Sequence, residues 1–312
     1  MRTLLFSALF AVSQLGFAAD PNLLNFVMPD AKYLAGMDVQ KAKSSAFARS
    51  IIESIPKGFF EAVGVDPKRD FDEILIASAT GPGNEGSGVA IVRGRFDSSK
   101  ITSLLKSFGP LQSEIRNGVE IFRQEGTKAN GFFMVAGHTA IVGDLESVRS
   151  AASRTGGGTT IDAMKASKIQ TLRESNDIWM ITTAPMSAMK GNAKSPAKSN
   201  SRQSTGPIDG MLKGDFLTAI DQAAMGLRFS TSSVELNMEA TAKTEKDAGA
   251  FADVLRFLSN MVQLNRENQE VSAFASVLDS MQLTQNAKSV RVKMALPQSQ
   301  LEEMMKGRQT KI

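Results

Sequence analysis

Two neighbouring runs decide how this chain reads: Ala224-Met225-Gly226-Leu227-Arg228-Phe229-Ser230, then Val234-Glu235-Leu236-Asn237-Met238-Glu239-Ala240-Thr241. In the second run Val234, Leu236, Met238 and Ala240 fall on one side of an extended chain. Glu235, Asn237, Glu239 and Thr241 fall on the other. Strict alternation predicts a strand with one packed face and one wet face, the signature of an antiparallel sheet. Downstream, Phe251, Val254, Leu255 and Leu258 recur at i, i+3, i+4 and i+7, which predicts a helix with one apolar stripe.

The same order occurs about 150 residues earlier, where Glu73 to Ala79 and Val89 to Phe96 form a pair of β runs. A helix starting near Asp97 or Ser98 follows, with Ile101, Leu104, Leu105 and Phe108 on one stripe and Gly109-Pro110 as its stop. Each set is preceded by a strand-like opening, Asp30 to Met37 in the first half and Asn176 to Thr182 in the second. The single Tyr33 and the single Trp179 belong to these openings. Each half closes with further β segments: Val119 to Gln124, Gly131 to Ala136 and Thr139 to Gly143, against Met281 to Thr284 and Ser289 to Leu296. Short terminal helices follow, with Leu145 and Val148 answering Leu301 and Met304. The architecture expected is α+β: two similar units, residues 19–155 and 156–312, each an antiparallel sheet with helices packed on one face.

The halves differ after their opening strands. The first continues into an amphipathic helix carrying Phe47, Ile51 and Ile55 and ended by Pro56. The second carries a stretch from Lys190 to Pro207 whose charges are Lys190, Lys194, Lys198 and Arg202, with no carboxylate. Lacking large apolar groups, that stretch has nothing to bury in return for ordering, and residues 190–206 are expected to form a disordered basic loop. It is the best sequence candidate for contact with an anionic envelope component, although four scattered charges attract weakly and in a salt-sensitive way. A solvated insertion explains the stretch without any ligand. Arg154 to Thr160 has the composition of a flexible connector between units.

The N-terminus combines Arg2, a short apolar run from Leu4 to Val12 and small residues before Asp20, the parts of a secretory signal peptide covering residues 1–18. The run is too short to cross a bilayer, which needs about 20 apolar residues. Cleavage after Ala18 removes only Arg2 among charged groups and leaves a mature charge of +3. A chain with Cys 0 and mixed charge fits a bacterial periplasm or cell exterior, and it lacks the concentrated basic face that nucleic-acid binding needs. No later segment is apolar enough to span a membrane.

Composition also narrows the chemistry. Without cysteine there is no thiolate nucleophile, Cys-ligated zinc or iron–sulfur cluster, and the single His138 cannot supply a multi-histidine metal site. No cofactor and no metal are expected. Gly81-Pro82-Gly83-Asn84-Glu85-Gly86 fits G-x-G-x-x-G, but a dinucleotide site needs a helix to follow and here a strand follows, so a hairpin turn accounts for it. His138, between two β runs, reads as a turn residue without the serine and acidic orienter that catalysis requires. Asp66, Asp70, Asp72 and Glu73 invite a calcium reading, yet Lys68 and Arg69 interrupt them and the ligand spacing is wrong. Met186 and Met189 form an M-x-x-M pair of the kind that holds copper(I), although methionine more often fills a core. With 18 Phe against one Tyr and one Trp, aromatic stacking on sugars is disfavoured.

Tyr33-Leu34-Ala35-Gly36-Met37-Asp38-Val39 and Val92-Arg93-Gly94-Arg95-Phe96-Asp97, with the repeated order of elements, give the chain its one resemblance. It resembles uncharacterised exported proteins of environmental bacteria built from a duplicated α+β unit. The resemblance covers most of the mature chain and implies no activity and no site residue. The leading functional expectation is a non-enzymatic exported binding or scaffold protein. Its rivals are a cysteine-free hydrolase using Ser, Lys and carboxylates, and a periplasmic carrier of lipid or another apolar ligand. The carrier requires an apolar cavity of several hundred Å3. No catalytic residue is assigned.

Overall fold

A computed structural model of the 312-residue chain describes residues 23–45, 48–49, 65–80, 88–107, 109–124, 130–135, 138–183, 218–230, 232–264, 275 and 277–297. The described strands join one sheet of twelve. In chain order they are β1 Tyr33–Asp38, β2 Phe71–Ser78, β3 Gly88–Gly94, β4 Leu111–Arg116, β5 Val119–Gln124 and β6 Asn130–Val135. Then come β7 Thr139–Asp144, β8 Ile178–Thr182, β9 Ile220–Phe229, β10 Ser233–Ala242, β11 Gln282–Asn286 and β12 Ser289–Pro297. Their order across the sheet is β11-β12-β10-β9-β8-β1-β2-β3-β7-β6-β5-β4. Every pairing is antiparallel. The α+β class and the antiparallel sheet are as expected. The sheet is continuous from end to end, because β1 and β8 pair with each other at its centre, Gly36 opposite Trp179.

The described helices are α1 Val39–Ala42, α2 Pro67–Asp70, α3 Ser98–Ser107, α4 Leu145–Ser153, α5 Ala163–Ser175 and α6 Glu245–Leu264, preceded by a 3-10 turn at Leu23–Phe26. They lie on both faces of the sheet, which corrects the expectation of helices on one face only. On one face Leu34, Leu75, Ile91, Ile141 and Ile181 pack with the 3-10 turn, with Val148 of α4 and with Ile169 of α5. On the other, Ile74 and Val92 meet Ile101, Leu104 and Leu105 of α3, while Ala240 and Val290 meet Ala248 and Ala252 of α6. The correction has a simple cause: β1 and β2 present apolar residues to both sides, Leu34 and Leu75 to one and Met37 and Ile74 to the other, so neither face can be left wholly to water. Leu34 is buried on one side and Met37 is partly buried on the other.

Local signals act where they were read. The Asp97 carboxylate accepts the backbone N–H groups of Ser99 and Lys100, both at 3.1 Å, and so starts α3. β9 and β10 pair with Leu236 opposite Leu227 and Met238 opposite Met225. The glycine-bearing connector is tied down rather than loose. Arg154 donates to the carbonyls of Asn25 at 3.1 Å and Phe26 at 2.8 Å, Thr160 donates to Val27, and Asn25 donates to the Gly157 carbonyl at 3.0 Å. Composition alone misses this, because the partners lie about 130 residues away in sequence. Phe47, Ile51 and Ile55, the glycines from Gly81 to Gly86, and Leu301 and Met304 lie outside the described residues.

Candidate ligand groove at the centre of the sheet

Where β1 meets β8, helix α5 lies across the sheet and leaves a groove of about 840 Å3. Asp162 starts α5 by accepting the Lys165 backbone N–H at 3.0 Å, and Asn176 ends it. Two ion pairs hold the helix to opposite sides of the seam. Arg173 reaches Glu73 on β2 at 2.7 Å, and Lys168 reaches Glu239 on β10 at 2.7 Å. The apolar anchor between them is Ile169, fully buried against the sheet.

Asp38, Lys41, Glu73, Gln170, Arg173 and Glu174 give the groove a lining of both charge signs, and Trp179 contributes at its floor. Trp179 is almost entirely buried and lies on the backbone of Gly36, where a Cβ would come within 2.5 Å of the indole. A second glycine lies opposite Trp179 on its other side, in β9: a Cβ at Gly226 would strike the Asn176 carboxamide. That carboxamide donates to the Leu172 carbonyl at 2.9 Å and accepts from Asn237 at 3.2 Å.

The charged groups are cross-linked to one another. Glu73 also faces Arg93 at 3.6 Å, and Asp38 accepts the Lys41 backbone N–H at 2.9 Å while pairing with its ammonium at 3.2 Å. Glu239 adds Arg291 at 3.0 Å; burial pushes its carboxyl upward, but the hydrogen bonds from Lys168 and Arg291 outweigh this and hold it below its ordinary value. Lys165 has its pKa lowered by burial, partly offset by Asp162 and Asp30. Such a groove offers matched donors and acceptors to a polar or zwitterionic ligand. Leu24, Ile161, Ala163, Ala166 and Trp179 add apolar surface beside these charges.

The residues singled out in the sequence separate. Asp66 caps α2 by accepting Lys68 N–H at 2.9 Å, Asp70 accepts Asp66 N–H at 2.8 Å and pairs with Arg69, and Asp72 accepts from Gln40 at 2.6 Å. Only Glu73 enters the groove. Among the described residues, no group of three His, Asp or Glu side chains is placed to hold a metal ion. His138 is exposed in the turn before β7, and its carbonyl accepts the Gly94 N–H at 2.9 Å. β2 and β3 pair directly, Ser78 opposite Gly88, so the glycine motif joins two antiparallel strands. Lys190, Lys194, Lys198 and Arg202, with Met186 and Met189, lie outside the described residues. Lys41, Gln170 and Arg173 carry no sequence signal of their own; the Asp162 cap ahead of Ile169 is the one local sign of the helix that brings the last two in.

The fold defines a class: among the described residues, one twelve-stranded antiparallel sheet with helices on both faces. Solved structures similar to it include crystal forms I, III and IV of TP0453. Form I matches at a TM-score of 0.51 with 11% identity, covering 92% of this chain and 97% of that one. Forms III and IV match at 0.52 each, with 11% and 10% identity, covering 92% of this chain and 97% and 98% of theirs. At that identity the likeness is one of fold. No protein-family model matches the chain, and no curated protein matches it. No described helix is long and apolar enough to cross a membrane.

Proposed function

We propose that this is an exported, non-enzymatic binding or scaffold protein of the bacterial periplasm or cell envelope, and that its ligand occupies the groove between α5 and the centre of the sheet. The groove itself carries this reading: about 840 Å3, lined by Asp38, Lys41, Glu73, Gln170, Arg173 and Glu174, with Asp38 paired to Lys41, Glu73 paired to Arg173, and Glu174 accepting from the Gln170 amide. Paired ions suit recognition, because a ligand can exchange one partner for another without leaving a buried charge alone. Export rests on the charged, apolar and small-residue order of the first 18 residues.

A duplicated unit is part of the proposal. Outward from the centre, β1, β2 and β3 run one way and β8, β9 and β10 the other, and a returning strand, β7 or β12, then lies beside the third. The basic stretch carrying Lys190, Lys194, Lys198 and Arg202 is proposed as a contact for anionic head groups or glycans.

Native mass spectrometry of the protein purified from its own envelope fraction tests the groove. The natural-sequence chain is expected to carry a bound small molecule, and Ser167→Trp, which fills the groove from the exposed side of α5, is expected to lose it. A protein that arrives without added mass, or a Ser167→Trp variant that keeps it, would sink the groove as the site. Deleting residues 190–206 separately tests the basic stretch, which fails if binding to anionic phosphatidylglycerol vesicles at low salt is unchanged.

A further inference from the structure

At the end of the sheet opposite β11, strand β4 has β5 on one side and no described strand on the other. A two-residue turn joins β4 to β5: Asn117 at φ 48° and Gly118 at φ 75°, flanked by Arg116 opposite Val119. In a hairpin of this kind the flanking pair exchanges both backbone bonds, and the strand then alternates. Arg116, Glu114 and Gln112 therefore bond inward to β5, while Leu111, Ser113 and Ile115 turn their N–H and C=O groups outward. Ser113 and Ile115 are exposed, Ile115 at 77%, an unusual state for a large apolar residue in a sheet of this size.

We propose that β4 pairs antiparallel with β4 of a second copy of this chain, about a twofold axis at Ser113, so that one sheet runs through both copies. The strand is self-complementary in that register. Leu111 faces Ile115 twice on one side of the joined sheet, and Gln112 faces Glu114 twice on the other, an amide donor against a carboxylate. Moving the axis to Glu114 would set two carboxylates opposite each other. Moving it to Ile115 would bring Asn117, at positive φ, into the pairing and shorten it. Glu114 is preset for this role, since Arg149 of α4 holds its carboxylate at 2.6 Å. A twofold contact of this kind closes on itself, so it yields a dimer rather than a fibre.

Sedimentation of the full chain from low to high micromolar concentration tests the proposal. The natural sequence is expected to be dimeric. Ser113→Pro, which removes an outward N–H at a position where an edge strand tolerates proline, is expected to be monomeric with an unchanged circular dichroism spectrum. Ile115→Lys is expected to do the same and serves if the proline variant folds poorly. Because the chain has no cysteine, Ser113→Cys introduces a unique thiol. Mild oxidation is expected to join it to its own copy, as the near approach of Cα atoms across a strand pair permits, whereas Thr284→Cys on β11 is expected to stay uncrosslinked. A natural sequence that is monomeric throughout overturns the proposal. So does a dimer that persists in both Ser113→Pro and Ile115→Lys, or preferential crosslinking through Thr284→Cys.

Discussion

The indole of Trp179 lies on the backbone of Gly36, its register partner across the β1/β8 seam, so close that a Cβ at position 36 would sit 2.5 Å from the ring. This contact is where the first and second halves of the chain meet, and it forms the floor of the groove. Gly36→Ala must push the ring aside within a packed core, at an expected cost of about 1–3 kcal/mol. Thermal unfolding followed by circular dichroism reads this, and it also reads variants that lack Trp179, the only tryptophan. Adding Trp179→Leu should recover part of the loss, and a double variant whose cost equals the sum of the singles would show that the two residues are uncoupled.

Acid should loosen the β4 end of the sheet. Glu114 has its pKa lowered from 4.5 to about 2, chiefly by its hydrogen bond from Arg149. A carboxylate with a depressed folded-state value adds stability above its unfolded pKa and loses it as pH falls toward the folded one. The melting temperature should therefore drop between about pH 4.5 and 2, with part of that drop missing in Glu114→Gln. Identical pH profiles for the two proteins would refute it.

Arg154 should matter more than an exposed arginine does. Burial lowers its pKa, partly offset by Asp30, and its guanidinium satisfies the carbonyls of Asn25 and Phe26. Arg154→Met would leave those carbonyls without their donor at an expected cost of about 1–3 kcal/mol. Hydrogen exchange should quicken at residues 23–27 before it does elsewhere. Unaltered protection there would mean that the connector holds without it.

Intact-mass analysis of the protein taken from cell envelopes should give a chain beginning at Ala19, and deletion of residues 2–18 should leave the protein in the cytoplasm. A full-length mass in the envelope fraction would argue against cleavage after Ala18.

How much of this was legible in the sequence depends on where each element found its partners. β9, β10 and α6 declared themselves because alternation and a 3.6-residue stripe are local consequences of burying one side. β4 did not: Leu111 and Ile115 are its only large apolar residues, and Ile115 faces outward, so the surest sign was the Asn117-Gly118 turn that follows it. α5 carries no stripe. Met164 is exposed at 85%, and Ile169 alone among its side chains is fully enclosed, so Ile169 and Leu172 on the core, together with Arg173 and Lys168 reaching across the seam, set its place.

Sequence by itself determined the class, the antiparallel pairing of neighbouring strands and the absence of cysteine chemistry, because hydrophobic period, turn residues and residue counts are properties of short stretches. Tertiary structure alone decided that β1 closes on β8 to make a single sheet, that helices cover both faces, and that Glu73 meets Arg173. Backbone hydrogen-bonding groups are the same in every strand, so which edges join is settled by side chains far apart in the chain fitting together, as Trp179 does on Gly36.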